Sequence, residues 1–297
     1  MQYSLPGKAE ATLREILPRL VLSPSLFLIL LFVYGFILYT GYLSLTDSRM
    51  LPSYDLQGLD NYARLWGQRN WITALQNLAI FGILYILICS LLGLVLAIFL
   101  DQKIRGEGIL RPIYLYPMAL SFIVTGTAWK WFLDPGLGLE NTMHLWGWES
   151  FTFDWIKDRN MAIYTVVIAA VWQSSGFVMA MFLAGLRGID SEILKAAQMD
   201  GAGRWSLYTR IMIPQLRPVF LSAFVVLAHL AIKAYDLVIA LTNGGPGRAT
   251  ELPATFMYSY TFTRNQMGVG ASSAVIMLAM IASIIVPYLY AELRERR

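Results

Sequence analysis

Two ionisable residues, Lys233 and Asp236, lie in the fifth long apolar run of this sequence. An ionisable side chain at membrane depth is costly unless it is paired or hydrated. Because the two residues are three apart, they share one face if the run is a helix. Two interpretations are open: a structural pair, within the chain or with a partner chain, or a polar site on a transport path.

The polar segment 187–217 separates two apolar runs and looks folded. We predict two short helices joined at a bend. Asp190 or Ser191 caps the first helix, and Glu192 lies in its first turn, where the positive helix end stabilises a carboxylate. The bend falls at 200–203, because glycine tolerates left-handed backbone angles. A folded, partly basic segment of this kind is expected to dock onto a partner.

The composition indicates that membrane-spanning helices position these residues. Apolar residues make up 57% of the 297 and charged residues 14%, which excludes an ordinary soluble protein and favours a bilayer. A helix needs ~20 apolar residues to cross ~30 Å of hydrocarbon. We therefore predict an all-α polytopic membrane protein with six transmembrane helices, at 20–45, 72–100, 109–133, 161–186, 211–241 and 267–290.

The positions of lysine and arginine predict the orientation. With the N-terminus in the cytoplasm, cytoplasmic segments hold fourteen of these residues and external segments hold seven. Both termini and the segment 187–217 then lie in the cytoplasm. The net charge of +4 indicates orientation, and no nucleic-acid partner is expected. We predict a cytoplasmic interfacial helix over 1–19, a membrane domain over 20–291 and a cytoplasmic tail over 292–297.

The sequence KAAQMDGAG followed by IMIP resembles the cytoplasmic coupling motif of ABC importer permeases, Glu-Ala-Ala and Gly followed by Ile-x-Leu-Pro. The chain departs from that motif at Lys195, so the salt bridge that the family's glutamate makes with the ATPase is not carried over. The alternative is an ordinary amphipathic linker. The resemblance implies that segment 187–217, hereafter the elbow, contacts an ATPase subunit. The implied coupling residues are Glu192, Lys195, Ala196, Ala197, Asp200, Gly201, Ala202, Gly203, Arg204 and Pro214.

Three further motifs resemble those of sugar permeases. They are GLDNYARLW at 58–66, WKWFLDPGLGLEN at 129–141 and LTNGGPGRAT at 241–250. The last is similar to the signature of the maltose and glycerol-phosphate branch, and its surroundings most resemble permeases of the glucose and mannose type. The residues Asn243, Gly244, Gly245 and Pro246 are predicted to form a tight external turn.

The sequence contains no phosphate-binding GxxxxGK[ST] segment, so we expect no ATP site of that kind on this chain. The resemblance implies a MetI-like fold and a non-catalytic permease subunit in the plasma (inner) membrane of a bacterium or archaeon. It implies four further partners: a second permease, two ATPase subunits that use ATP and Mg²⁺, and an extracytoplasmic sugar-binding protein. The implied cargo is a monosaccharide such as glucose or mannose, or a small oligosaccharide.

In the maltose-type permeases that the chain resembles, the helices before and after the elbow line the substrate path. This implies Trp172, Gln173 and Ser174 on the first helix, and Leu230, Lys233, Tyr235 and Asp236 on the second. Lys233 and Asp236 would then hydrogen-bond sugar hydroxyl groups, unless they form the structural pair. Several neighbouring positions are apolar, so we expect the second permease to supply part of the pocket.

The alternative function is an ion-coupled secondary sugar carrier that uses Lys233 and Asp236. Such carriers usually contain internal repeats, and this sequence shows none. The two histidines, His144 and His229, have no partner at metal-ligand spacing, so no metal site is predicted. Three tryptophans of the external segment 134–160 either stack on the cargo or its carrier protein, or form an interfacial aromatic belt; they are Trp146, Trp148 and Trp155.

Overall fold

The computed structural model describes residues 8–51, 53–102, 104 and 106–295. Regular structure in these residues is helical, with an isolated antiparallel bridge between Thr46 and Leu56. The α-helices are α1 (Lys8–Ile29), α2 (Gly35–Ser44), α3 (Asp60–Gly67), α4 (Arg69–Asp101), α5 (Glu107–Ala119), α6 (Phe122–Phe132), α7 (Leu139–Leu145), α8 (Ala162–Arg187), α9 (Ser191–Met199), α10 (Arg204–Ser206), α11 (Ile213–Gln215), α12 (Arg217–Ile232), α13 (Asp236–Leu241), α14 (Pro253–Tyr258) and α15 (Met267–Glu295). Two π-helical turns, Leu30–Tyr34 and Leu207–Met212, join neighbouring helices, and a third, Ser259–Thr263, extends α14.

Four of the predicted spans are single helices. The apolar stretches Arg19–Ser44, Arg69–Asp101, Ala162–Arg187 and Met267–Tyr290 are each long enough to cross a membrane. Two further spans are formed only if bent helix pairs count as one span each. The prediction of an all-α polytopic membrane protein is confirmed.

The first span shows no boundary at the end of the predicted interfacial helix. The helix α1 runs from Lys8 through the π turn into α2, so residues 8–19 continue the helix of the first span. Residues 1–7 of the predicted interfacial helix and 296–297 of the predicted tail lie outside the described residues.

The third predicted span, 109–133, is not a straight helix. Its two parts, α5 and α6, meet at an angle of 99°. The chain is extended at Leu120 and Ser121, and the Ser121 hydroxyl accepts a hydrogen bond from the Val124 amide as the cap of α6. On α8, the Gln173 side-chain amide donates to the Leu120 carbonyl at 2.8 Å. These bonds satisfy two of the backbone groups that a break would otherwise leave unpaired in lipid.

The fifth predicted span, 211–241, is divided into three parts. The chain from Ile211 to Gln215 belongs to the second helix of the elbow, and α12 leaves it at an angle of 61°. A second interruption separates α12 from α13. The apolar run predicted one helix here, but the helix is interrupted twice.

The helices α4 and α8 form the centre of the bundle. Five buried residues of α4 are spaced four apart, so they lie along one helix face: Phe81, Tyr85, Cys89, Gly93 and Ala97. A Cβ atom at Gly93 would lie 2.9 Å from the backbone nitrogen of Met179 on α8. The glycine therefore permits the two helices to approach closely.

Candidate functional site

The ionisable residues Lys233 and Asp236 lie on either side of an interruption of the helical chain. The helix α12 ends at Ile232, residues 233–235 are non-helical, and α13 begins at Asp236. The expected shared helix face is therefore not formed. The ion pairs of 4.0 Å or less among the described residues lie elsewhere, and both side chains are exposed.

The interruption borders a narrow cleft, hereafter the central cleft. Within it, Phe81 and Tyr85 stack with ring centroids 5.4 Å apart and ring planes 5° apart. Aromatic walls with a few polar groups are typical of sites for small molecules. The volume of about 40 Å³ is below the ~300–1,000 Å³ of such sites, so the cleft has to widen before a sugar can enter. The residues that line the central cleft are Phe81, Tyr85, Phe122, Ala170, Leu230, Lys233, Ala234, Tyr235, Asp236 and Leu237.

The central cleft contains four of the predicted path residues, Leu230, Lys233, Tyr235 and Asp236. The three predicted on α8 lie beside it. Ser174 accepts a hydrogen bond from the Tyr85 hydroxyl at 2.7 Å. Gln173 is buried, and its side-chain amide donates to the Leu120 carbonyl. Trp172 packs edge-on against Trp129, with centroids 5.9 Å apart. Their role in transport stays a prediction.

The elbow has the predicted two-helix form. The Asp190 carboxylate accepts a hydrogen bond from the Glu192 amide at 2.9 Å, so Asp190 is the cap of α9. At the other end, the Gly201 amide donates to the Gln198 carbonyl and the Ala202 amide to the Ala197 carbonyl. This pair of bonds is a Schellman motif, which requires a left-handed residue at Gly201, where φ is +81°.

One face of the elbow packs on the bundle and the other is open. Leu207, Met212 and Leu216 are buried, whereas Met199 is 83% exposed and Trp205 is 82% exposed. Large exposed apolar side chains among charged ones are typical of a protein interface. Among the predicted coupling residues, Ala197 and Ala202 are half-buried, and Glu192, Lys195, Ala196, Asp200, Gly201, Gly203, Arg204 and Pro214 are exposed.

A polar cluster fixes the base of the elbow to three membrane helices. Arg187, the last residue of α8, forms an ion pair with Glu107 of α5 at 2.8 Å and donates to the Leu100 carbonyl of α4 at 3.2 Å. The hydroxyl of Tyr208, in the second helix of the elbow, donates to the Asp101 carboxylate of α4 at 2.8 Å. These contacts join the base of the elbow to α4, α5 and α8.

The predicted turn at Asn243, Gly244, Gly245 and Pro246 is present. Asn243 and Gly244 adopt positive φ angles of 52° and 79°, and the Gly245 amide donates to the Thr242 carbonyl at 3.0 Å. The Thr250 hydroxyl lies 2.6 Å from that of Thr242, which closes the loop. From α4, the Asn77 amide donates to the backbone carbonyl of Glu251 at 3.0 Å. The loop is thus held at both ends.

The tryptophans of the segment 134–160 differ in their surroundings. Trp148 packs on Phe151 with centroids 5.1 Å apart, and Trp155 stacks on Phe153 at 4.7 Å. Trp146 remains 78% exposed. Two of the three rings therefore pack on aromatic neighbours of their own loop, and Trp146 presents the most open surface of the three to a partner or to the membrane interface.

Several residues of these sites were not predicted from the sequence. Phe81 and Tyr85 could have been found from their spacing, because aromatic residues four apart in an apolar run lie on one helix face. No local pattern pointed to Asp101, Glu107 and Tyr208, since their contacts join segments of the chain up to 107 residues apart.

Comparisons with known proteins give a consistent result. Residues 90–297 match the family described as binding-protein-dependent transport system inner membrane component. A probable ABC transporter permease protein of Pyrococcus horikoshii is 43% identical, over 91% of this chain and 94% of that protein. The xylose/arabinose import permease protein of Haloferax volcanii is 35% identical, over 89% of this chain and 84% of that protein.

A solved structure of a bacterial alginate ABC transporter, in complex with an alginate pentasaccharide-bound periplasmic protein, shares the fold. The TM-score is 0.82 over 97% of this chain and 98% of that chain, at 18% identity. At this identity the likeness concerns the fold alone.

Proposed function

The chain belongs to the binding-protein-dependent transport system inner membrane components and is a non-catalytic permease subunit of an ABC sugar importer. We propose a separate role in transport for each of its two sites. The central cleft forms half of the path for a monosaccharide or short oligosaccharide. The elbow receives an ATPase subunit. The complex contains a second permease, two ATPase subunits that use ATP and Mg²⁺, and an extracytoplasmic sugar-binding protein.

The interruption at 233–235 is the observation that carries the proposed path. Non-helical backbone at membrane depth is tolerated where it is buried in protein or lines a hydrated cavity. Here the break borders the central cleft, with Lys233 as donor, Asp236 as acceptor and the Tyr235 hydroxyl able to do both. Sugar hydroxyl groups require both kinds of partner, and the Phe81 and Tyr85 rings supply apolar walls. A second permease would close the open side.

The elbow supports the proposed coupling through its two faces. Its open face offers Met199 and Trp205 to a partner, and its base is fixed to α4, α5 and α8 through Arg187 and Tyr208. An ATPase that closes on ATP would move two such elbows together and change the populations of the permease states. Lys195 lies on the open face. Its positive charge would require a different contact on the ATPase from the salt bridge that the family's glutamate makes.

The relatives support the proposed cargo and partners. The xylose/arabinose permease is named for pentose import, and the alginate transporter is described with a periplasmic protein that holds an oligosaccharide. The segments on the elbow's side of the membrane hold fourteen basic residues and those on the other side hold seven. This excess favours a cytoplasmic elbow, on the side where ATP is present. We propose this orientation, with both termini in the cytoplasm.

The test is transport by the complex isolated from its native membrane through an affinity tag on this chain. Mass spectrometry identifies the co-purified subunits, and uptake of labelled xylose, glucose and maltose is measured in proteoliposomes. We expect uptake to require ATP, the ATPase subunits and the binding protein. Uptake by this chain alone along an ion gradient would overturn the proposal in favour of a secondary carrier.

A further inference from the structure

A second cleft, hereafter the outer cleft, lies at the end of the bundle away from the elbow. It has a volume of about 520 Å³, within the range of ~300–1,000 Å³ that holds small ligands. Its walls come from α13, the turn after it, α14 and the following π turn. The residues relevant to binding are Tyr235, Asn243, Arg248, Glu251, Tyr258 and Arg264.

Glu251 is the unusual member of this cleft. The residue is only 8% exposed, and its Oε2 atom has no hydrogen-bond partner among the described residues. The nearest cation is the Arg248 guanidinium, whose Nη1 atom is 3.7 Å away and also unpartnered within that part of the chain. That distance is too long for a hydrogen bond. Buried polar groups are normally paired, so this arrangement leaves a donor and an acceptor with unused capacity.

Aromatic rings form the other wall of the outer cleft. Tyr258 is 43% exposed and packs between Tyr235 and Phe262, with centroid distances of 4.8 and 5.0 Å. An exposed ring of this kind offers a flat apolar surface with a hydroxyl at its edge. Arg264 also lines the cleft and is held over the Tyr260 ring, 4.5 Å from its centroid. The cleft therefore combines a carboxylate, two guanidinium groups and an aromatic face.

Tyr235 lines both clefts. It belongs to the non-helical residues 233–235, and it borders the central cleft with Lys233 and Asp236 and the outer cleft with Glu251 and Tyr258. The side chain of Tyr235 is therefore a shared wall of the two clefts. The loop that presents Glu251 is fixed by Asn77 of α4, so the outer cleft is preformed.

We infer that the outer cleft is a second binding site for the transported sugar, in which Glu251 and Arg248 hydrogen-bond its hydroxyl groups and Tyr258 packs on its ring. The sugar is held there after release from the binding protein and then passes Tyr235 to reach the central cleft. This inference rests on the proposed function of the chain as a sugar path.

Saturation-transfer NMR on the isolated complex in nanodiscs, without binding protein or ATP, tests the site with xylose, glucose and maltose as probes. Glu251→Gln and Tyr258→Leu should each lower the transferred signal by about half, leaving the central cleft's share. Adding Lys233→Met should remove most of the remainder. Asp60→Asn, at an exposed carboxylate of α3, is the matched control and should retain the full signal. Size-exclusion chromatography verifies assembly, and if Glu251→Gln does not assemble, the exposed Tyr258→Leu variant decides.

The outcomes separate the two proposals. Unchanged signals in the Glu251→Gln and Tyr258→Leu variants overturn the outer site, as does the lack of any signal in a wild-type complex that transports one of the probes. Loss of stimulation by the binding protein with an unchanged sugar signal identifies a protein contact instead, and also overturns it. A wild-type complex that transports none of the three sugars contradicts the proposed function.

Discussion

The helical chain is interrupted at the elbow and again between α12 and α13, and the two interruptions are built differently. At the elbow, Gly201 lies in open space, and the turn is closed by hydrogen bonds between residues at most five apart. At residues 233–235, the break faces side chains from α4, α6 and α8, more than 60 residues away along the chain. The first interruption is local, and the second depends on the bundle.

This difference is consistent with the role that we propose for each region. A local turn keeps its shape while its open face docks onto a partner, so the elbow can move as a unit on its base. A break that depends on neighbouring helices changes when those helices move, so the central cleft can open and close with them. Substitutions at the two bends should therefore affect different steps of transport.

The largest effect is expected at the open face of the elbow. Trp205→Ala removes the most exposed aromatic residue there, and a central Trp in an interface typically contributes ~2 kcal/mol or more. The ATPase subunit should then bind about 30-fold more weakly, measured by titration of the subunit onto the permease complex. Trp146→Ala, at a similarly exposed Trp in the loop 134–160, should leave this affinity unchanged. Equal loss in both variants would contradict a specific role of the elbow.

A smaller loss of ATPase binding is expected when the local turn itself is strained. Gly201→Val places a branched side chain at φ +81°, which costs ~1–2 kcal/mol, whereas Gly203→Val occupies an extended conformation with φ −68°. Neither added Cβ meets an atom within 4 Å, so the backbone angle is the main difference. We expect about tenfold weaker binding for the first variant only. Similar affinities would show that the turn is not required.

At the other bend, Asp236→Asn should alter uptake without preventing assembly. Replacing the carboxylate weakens hydrogen bonds to sugar hydroxyl groups by ~1 kcal/mol, or about fivefold in the half-saturating sugar concentration. ATPase binding should be unchanged, since the break is remote from the open face of the elbow. Wild-type uptake kinetics in this variant would dismiss Asp236 as a path residue.

The smallest effect concerns pH and the outer cleft. Burial raises the pKa of Glu251 above its ordinary value of 4.5, while Arg248 and Arg264 oppose the shift. Because the folded state favours the protonated carboxyl, the contribution of Glu251 to stability is greatest below pH 4.5, falls as pH rises to the folded-state pKa and then levels off. Thermal unfolding measured across this window should show that decline. Glu251→Gln should reduce the slope, and an unchanged slope would assign the pH dependence to other groups.

The sequence by itself determined the features that depend on neighbouring residues. The apolar runs identified four uninterrupted spans, Asp190 and Gly201 marked the ends of α9, and Asn243 to Pro246 marked the turn after α13. Each of these depends on local backbone angles or on the length of an apolar stretch. Both can be read from a few consecutive residues.

Only the tertiary structure decided where the helices break inside the membrane. An apolar run indicates that its residues avoid water, but it does not indicate whether one helix continues through all of them. The bend at Leu120 is satisfied by Gln173, 53 residues later, and the break at 233–235 faces Phe81 and Tyr85, which lie well over a hundred residues earlier. In lipid, a break persists only where distant side chains or cavities satisfy its backbone groups. Those partners, and the clefts that they form, are set by packing rather than by local sequence.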